Sequence, residues 1–340
     1  MHRLYSGSVS PVTTRPLVIA HRGASGYRPE HTASAYRLAI SQGADAVEPD
    51  LVPTSDGVLV IRHENEISGT TDVAEHPEFA GRKTTKVVDG VSHTGWFTED
   101  FTWAELSTLT ARERLVKTRP ANTKYDGQEG ILRLVDLIDM LEAASRPVVM
   151  VAELKHANYF DGLGLPLEAT FARGIASWAK PDNLIVESFE QTALQRVQEL
   201  NVPGRVTFLA DAAGSPADQV ARFGSEARAF ADYLTDAGLA RLAEEVDGVS
   251  VDKALLMKSD AGGSVTGSTD LISRARSAGL ETYTWTLRAE NRFLPKNFRH
   301  GIRSREQGDW RREYELIMRT GVDGVFADQP DLALSVRATL

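Results

Sequence analysis

The chain contains no cysteine. A disulfide framework, a thiolate nucleophile and any zinc or iron–sulfur centre built on cysteine are therefore excluded, so a bound metal must be held by oxygen or imidazole. Long apolar runs are also missing. No stretch approaches the roughly 18 to 20 residues that span a bilayer, and no membrane span is expected. Positive charge is in deficit, with 38 Lys+Arg against 47 Asp+Glu and a formal charge of −9. That balance argues against a nucleic-acid binder working through a broadly basic surface. Residues 1–16 lack the continuous apolar segment of a secretory signal and read as a flexible lead-in. The expectation is a cytoplasmic protein as sequenced, or an exported or periplasmic one if a signal has been removed.

The 340 residues are 42% hydrophobic and 25% charged, enough to bury a substantial core. Short Val-, Ile- and Leu-rich runs recur at residues 17–21, 46–52, 148–155, 184–189, 205–210, 247–252, 281–287 and 324–328, with a side hairpin strand at 57–63. Segments of helical period lie between them, among them 32–43, 134–144 and 313–321, and several end at glycine, a common helix stop. Eight strand–helix units predict an α/β fold of the (β/α)8 TIM barrel type over residues 17–340. Two segments interrupt the alternation, about 64–130 and about 288–310, and both exceed the usual connection length. The first is expected to form a small insertion domain on the active-site face, and the second a basic loop.

Polar residues collect at the C-terminal ends of the expected strands, where barrel enzymes place their catalytic groups. The first strand ends in His21, Arg22 and Gly23, the second carries Glu48 and Asp50, the side hairpin ends in His63, and the third carries Glu153 and Lys155. Residues two apart on a strand share a face, so Glu48 and Asp50 point together, as do Glu153 and Lys155. Three carboxylates crowded out of water are costly without a cation. Glu48, Asp50 and Glu153 are accordingly expected to hold one divalent cation, and with oxygen ligands only it is a hard one, Mg2+ or Ca2+. The alternative is a set of salt bridges with Arg22 and Lys155 and no metal. His21 and His63 close neighbouring strand segments. Imidazole titrates near neutral pH, which makes this pair the expected general acid and general base. His2, His76, His93 and His300 fall in the terminus or the insertions and read as solvated, whereas His156 directly follows Lys155.

The run AHRGASGYRPEHTASAYRLAISQGADAVEPDL, then DGVLVIRHE, AELK, YTWTL and GVDGVFADQP, resembles the glycerophosphodiester phosphodiesterase family over roughly residues 17–335, with the motifs in the family's order. The resemblance implies a (β/α)8 barrel, a divalent ion, and two histidines acting on a phosphodiester. At the matching positions it implies metal binding by Glu48, Asp50 and Glu153, acid–base roles for His21 and His63, and a phosphate site made by Arg22 and Lys155. Trp285, on the seventh strand, matches the family's aromatic wall against glycerol; a packed core indole is the other reading of that residue. Two positions depart from the family pattern. His31 stands where asparagine is common, so Glu30 and His31 either orient substrate or cap the following helix, a task to which Thr32 is also suited. Glu187, in ESFE, stands where glutamine is common. The insertion resembles that of the larger bacterial members, which lies over the barrel mouth.

The implied reaction is hydrolysis of a small-molecule glycerophosphodiester to sn-glycerol 3-phosphate and an alcohol, through a cyclic 1,2-phosphate. A lysophospholipase D or sphingomyelinase-D-like enzyme is the alternative, but it would be expected to carry an apolar amphipathic segment for a membrane surface, and none is evident. A metal-dependent phosphodiester-binding protein without turnover is the non-enzymatic alternative, and retention of both histidines and all three carboxylates speaks against it.

Overall fold

A computed structural model describes residues 15–340, and residues 1–14 of the expected lead-in lie outside them. The first apolar run forms β1 (Leu17–His21). The second is split by Pro49 into β2 (Ala46–Glu48) and β3 (Asp50–Pro53), since proline has no N–H to give to a ladder. The side strand β4 (Leu59–Ile61) returns antiparallel to β3. The hairpin of β5 (Thr84–Val88) and β6 (Val91–Gly95) follows, then β7 (Val149–Leu154), β8 (Leu184–Ser188), β9 (Arg205–Ala210) and β10 (Gly248–Asp252). A second hairpin, β11 (Met257–Ser259) with β12 (Val265–Ser268), precedes β13 (Glu281–Leu287) and β14 (Gly324–Ala327). Sequence patterning has no counterpart for β11 and β12, whose short MKS and VTGS segments carry too few β-branched or aromatic residues to stand out.

Parallel pairing runs from β1 to β2, from β2 and β3 to β7, then through β8, β9, β10, β13 and β14 back to β1. With β2 and β3 serving as one strand, the sheet closes into the eight-stranded parallel barrel that the sequence predicts. Alternation divides the apolar residues into two layers. Ile19, Ala46, Val151, Ile185, Tyr283 and Phe326 fill the barrel interior. Val18, Val47, Met150, Val186 and Phe208 face the surrounding helices instead. Each Val, Ile, Met or Phe among them contributes about 1.5 to 3 kcal/mol by leaving water.

Register then places the polar strand ends at one level. His21 lies beside Glu48, Asp50 beside Glu153, Glu153 beside Glu187, and Asp252 beside Trp285. The chain leaves β1 through a left-handed turn, Arg22 at φ 60° and Gly23 at φ 81°. A side chain on Gly23 would come within 2.7 Å of the Ala35 backbone, so only glycine lets this turn pack against the helix Ala33–Gln42.

Residues 64–130 carry the β5–β6 hairpin, turned at Asp89 and Gly90 with positive φ at both, as a tight type I′ hairpin requires. Buried Phe79, Trp96, Phe97 and Phe101 anchor this segment, and the Trp96 indole donates to the Phe79 carbonyl at 2.7 Å. Beyond β13, short helical turns at Asn291–Phe293 and Lys296–Phe298 shape the basic loop. No helix among the described residues is long and apolar enough to cross a membrane.

Candidate active site

A cavity of about 200 Å³ opens at the C-terminal end of the barrel. Seven of the eight residues expected from the sequence line it: His21, Arg22, Glu48, His63, Glu153, Lys155 and Trp285. The eighth, Asp50, is fully buried beside them.

One oxygen from each of Glu48, Asp50 and Glu153 lies within 4.8 Å of the other two. Two cations, Arg22 and Lys155, are among their partners. The Arg22 backbone N–H donates to Glu48 Oε2 at 2.7 Å, and Lys155 Nζ donates to Glu153 Oε1 at 2.8 Å. Asp50 Oδ2 accepts from His31 Nε2 at 2.8 Å and faces Arg22 Nε at 3.3 Å. The salt bridges anticipated as the alternative to a metal thus exist, yet they leave Asp50 Oδ1 buried without a hydrogen-bond partner, and Glu187 Oε2 as well. Orphaned buried acceptors are rare and costly. Burial, reinforced by the neighbouring carboxylates, pushes Glu48 well above the usual carboxylate range and Glu153 up to about 8 despite Lys155. Asp50 is also penalised by burial, but His63, Lys155 and Arg22 outweigh it and hold it well below that range. An all-oxygen donor set with an unsatisfied oxygen and mutually repelling carboxylates fits a divalent metal ion.

Each histidine on the cavity is backed by a carboxylate. His21 Nδ1 pairs with Asp328 Oδ1 at 2.7 Å, and His63 Nδ1 with Glu64 Oε1 at 2.6 Å. Burial penalises ionised Asp328, but Arg288 and Arg119 outweigh it and hold that carboxyl well below its ordinary range; Glu64 is likewise held low, with His63 and Arg114 outweighing its burial. An ionised carboxylate only accepts, so Nδ1 carries the proton in both rings and Nε2 is left with its lone pair. Lys155 Nζ lies 3.3 Å from His63 Nε2, which agrees with that tautomer. Burial first, then Arg22, pushes His21 down to about 4 against the pull of Asp328. Burial, Arg22 and Lys155 push His63 down to about 3.

Trp285 sits on the inner face at the mouth, edge-on to Phe189 with ring centroids 5.7 Å apart, and its indole N–H has no partner. It lines the cavity while its partly buried ring also packs against the apolar cluster inside the barrel. Thr32 caps the helix after β1, its side chain accepting from the Ala35 N–H. His31 and Glu30 are thereby free for the site: His31 bridges Asp50 and the Tyr36 hydroxyl, and Glu30 pairs with Arg22 at 3.2 Å. His156 pairs with Asp89 and so ties the β5–β6 hairpin to the loop after β7.

Several site residues were not singled out from the sequence. Asp328 ends the expected eighth strand and could have been noticed by the rule that marked His21. Glu64 follows His63 directly. Arg114 and Arg119, from the insertion, and Arg288, from the basic loop, have no local sequence signature.

The profile of the glycerophosphoryl diester phosphodiesterase family matches residues 21–332. The chain belongs to this family. It is 31% identical over 333 residues to a glycerophosphodiester phosphodiesterase of Arabidopsis thaliana, covering 93% of this chain and 84% of that one. A glycerophosphodiester phosphodiesterase of Bacillus subtilis is 27% identical over 332 residues, covering 95% and 87%. Among solved structures, an Oleispira antarctica phosphodiesterase in complex with the product sn-glycerol-3-phosphate shares the fold at a TM-score of 0.62 and 21% identity, covering 95% of this chain and 96% of that one. A glycerophosphodiester phosphodiesterase of Agrobacterium tumefaciens does so at 0.59 and 18%, covering 94% and 99%.

Proposed function

We propose that this family member hydrolyses glycerophosphodiesters to sn-glycerol 3-phosphate and an alcohol. The observation that carries the reading is the convergence, on one cavity, of two carboxylate-backed histidines, two cations and a three-carboxylate metal site. Arg22 and Lys155 would hold the phosphoryl oxygens and offset the charge that builds on them. Trp285 offers an apolar face to the glycerol carbons. Glu48, Asp50 and Glu153 would hold Mg2+ or Ca2+. When bound, that ion supplies Lewis acidity, lowering the pKa of a coordinated hydroxyl.

The histidines move the protons. One, neutral at Nε2, takes the proton of the glycerol 2-hydroxyl as its oxygen bonds to phosphorus. The other, protonated, gives its Nε2 proton to the alcohol oxygen as the bond from phosphorus to that oxygen breaks. Both rings are depressed partly by nearby cations, and a bound phosphodiester anion offsets those cations, so substrate itself promotes protonation of one ring. The cyclic 1,2-phosphate is then opened by water with the two rings exchanging roles, which regenerates the 2-hydroxyl and leaves sn-glycerol 3-phosphate.

The catalytic cavity is smaller than the roughly 300 Å³ lower end of pockets for drug-sized ligands. A neighbouring cavity of about 520 Å³ shares Glu153, Lys155 and Phe189 with it and has room for the alcohol portion. A coupled assay for glycerol 3-phosphate tests the reading, using glycerophosphocholine, glycerophosphoethanolamine and glycerophosphoglycerol, with Mg2+ or Ca2+ restored after chelation. Release that depends on the ion supports it. No release from any diester under either ion refutes it.

A further inference from the structure

The carboxylates behind the two histidines are held in turn by two arginines from one short stretch of the insertion. Arg114 donates from Nη1 to Glu64 Oε1 at 2.8 Å and from Nη2 to Glu64 Oε2 at 2.6 Å. Its Nε and Nη2 also grip Glu30, at 2.8 and 2.6 Å. Arg119 donates from Nη2 to Asp328 Oδ2 at 2.6 Å, from Nε to Glu290 Oε1 at 2.6 Å, and from Nη1 to the Ser25 carbonyl at 3.1 Å.

The stretch between them is cross-braced by its own hydrogen bonds. The N–H groups of Thr118 and Arg119 both donate to the Leu115 carbonyl, at 2.8 and 2.7 Å. Glu113 accepts from the Leu115 N–H at 2.6 Å and from Asn122 Nδ2 at 2.9 Å, which fastens the same turn from its other side. One locked segment therefore presents two guanidinium forks, one to each histidine–carboxylate pair.

We propose that Arg114 and Arg119 are positioning residues: Arg114 fixes Glu64 against His63, Arg119 fixes Asp328 against His21, and the insertion thereby sets the tautomer and direction of both rings. Glu64 depends on this most. It is about one-third exposed, on a loop, and Arg114 is the one side chain besides His63 to which it bonds among the described residues. A planar guanidinium gripping both oxygens leaves the carboxylate a single orientation, and with it a single place for the Nδ1–H. Asp328 is shared among His21, Arg119 and Arg288, so its orientation is held from three directions. The inference uses the proposed phosphodiesterase chemistry only for its kinetic consequence; the ring tautomers are independent of it.

The test is nitrogen-15 NMR of the histidine rings together with kinetics on glycerophosphocholine, in wild type, Arg114→Gln and Arg119→Gln. Wild type should show His21 and His63 as single Nδ1–H tautomers. Arg119→Gln should mix the tautomers of His21 while leaving His63 alone, and Arg114→Gln the reverse. Turnover should fall by about 100-fold in Arg114→Gln, the scale of losing a positioned acid or base, and by less in Arg119→Gln, where Arg288 still holds Asp328, with little change in KM in either. Arg→Lys at either position, which keeps the charge but loses the fork, should recover part of kcat, as should added guanidinium ion on Arg119→Ala. Unchanged tautomers and kcat, with only a lowered melting temperature, would overturn the inference, and if a Gln variant does not fold the Lys variant is read in the same way. If the substitutions shift the tautomers as stated but the wild type hydrolyses no diester, the functional reading falls and this one stands.

Discussion

Removing the divalent ion should destabilise the fold, because carboxylates outnumber the cations they face at the barrel mouth. Four carboxylates, Glu48, Asp50, Glu153 and Glu187, face two cations, Arg22 and Lys155. With all four ionised a deficit of two positive charges remains, which one dication offsets. An ion present at 100 times its Kd stabilises the native state by about 2.7 kcal/mol. With an unfolding entropy of roughly 2.1 cal/mol/K per residue, the 340 residues give about 0.7 kcal/mol per degree, so chelation should lower Tm by about 4 °C. The pH dependence has a definite sign. Without the ion, burial and the neighbouring carboxylates raise Glu48 well above the usual carboxylate range and Glu153 up to about 8. Both must ionise to bind, so binding releases protons, and the apparent affinity rises with pH toward 8 by about tenfold per unit for each proton released. Thermal melts with chelator, then with Mg2+ or Ca2+ restored, measure the first effect. Calorimetry at pH 7 in two buffers of different ionisation heat measures the second. A Tm indifferent to chelation and restoration, with no buffer-dependent heat, would refute the metal site.

Replacing either histidine, as His21→Ala or His63→Ala, should cut kcat by about 100-fold or more in the coupled assay, and near-wild-type turnover in both would remove them from the chemistry. Trp285→Ala should raise KM about tenfold with a smaller change in kcat, because about 1 to 2 kcal/mol of apolar contact with the glycerol carbons is lost; a kcat defect at unchanged KM would contradict the wall assignment. Glu187 is raised well above the carboxylate range by burial and then by Glu153 and Asp50, so in the ion-free protein its contribution to stability is present below its unfolded pKa and lost as pH rises through the folded value. Glu187→Gln should therefore stabilise the chelated protein more at pH 8 than at pH 5 in denaturant melts, and an equal effect at both would exclude this origin.

Much of the barrel and half of its site were legible because period-two alternation links strand position to direction. Once residues 17–21 and 46–52 are read as parallel strands, His21 and Glu48 must project inward at the same end, and the pairing of His21 with Glu48 follows from register alone. Residues 148–155 add Glu153 and Lys155 by the same logic. Pro49 did not obscure this, since the break it introduces leaves β2 and β3 both paired to β7. Asp328 shows where the logic stops: its strand was recognised, but its partner His21 lies 307 residues away, and nothing local distinguishes a carboxylate that orients a ring from one that ends a strand.

Loops obey no such alternation, and the backbone at the mouth explains why their residues were hidden. Arg22, His31 and His156 all adopt positive φ, at 60°, 60° and 54°, a conformation uncommon for residues other than glycine and held there by surrounding contacts. For His31 the turn swings the ring from the expected helix entrance onto Asp50 and leaves capping to Thr32. For Arg22 it directs the backbone N–H at Glu48 while the guanidinium faces Asp50 and Glu30. Arg114 and Arg119 lie farther still from any periodic signal, in a stretch whose shape is set by Glu113 and Asn122 rather than by a helix or strand. The barrel therefore specifies which residues meet, whereas the insertion and the strained loops specify how each ring and carboxylate is oriented, and only the first kind of information is periodic in the chain.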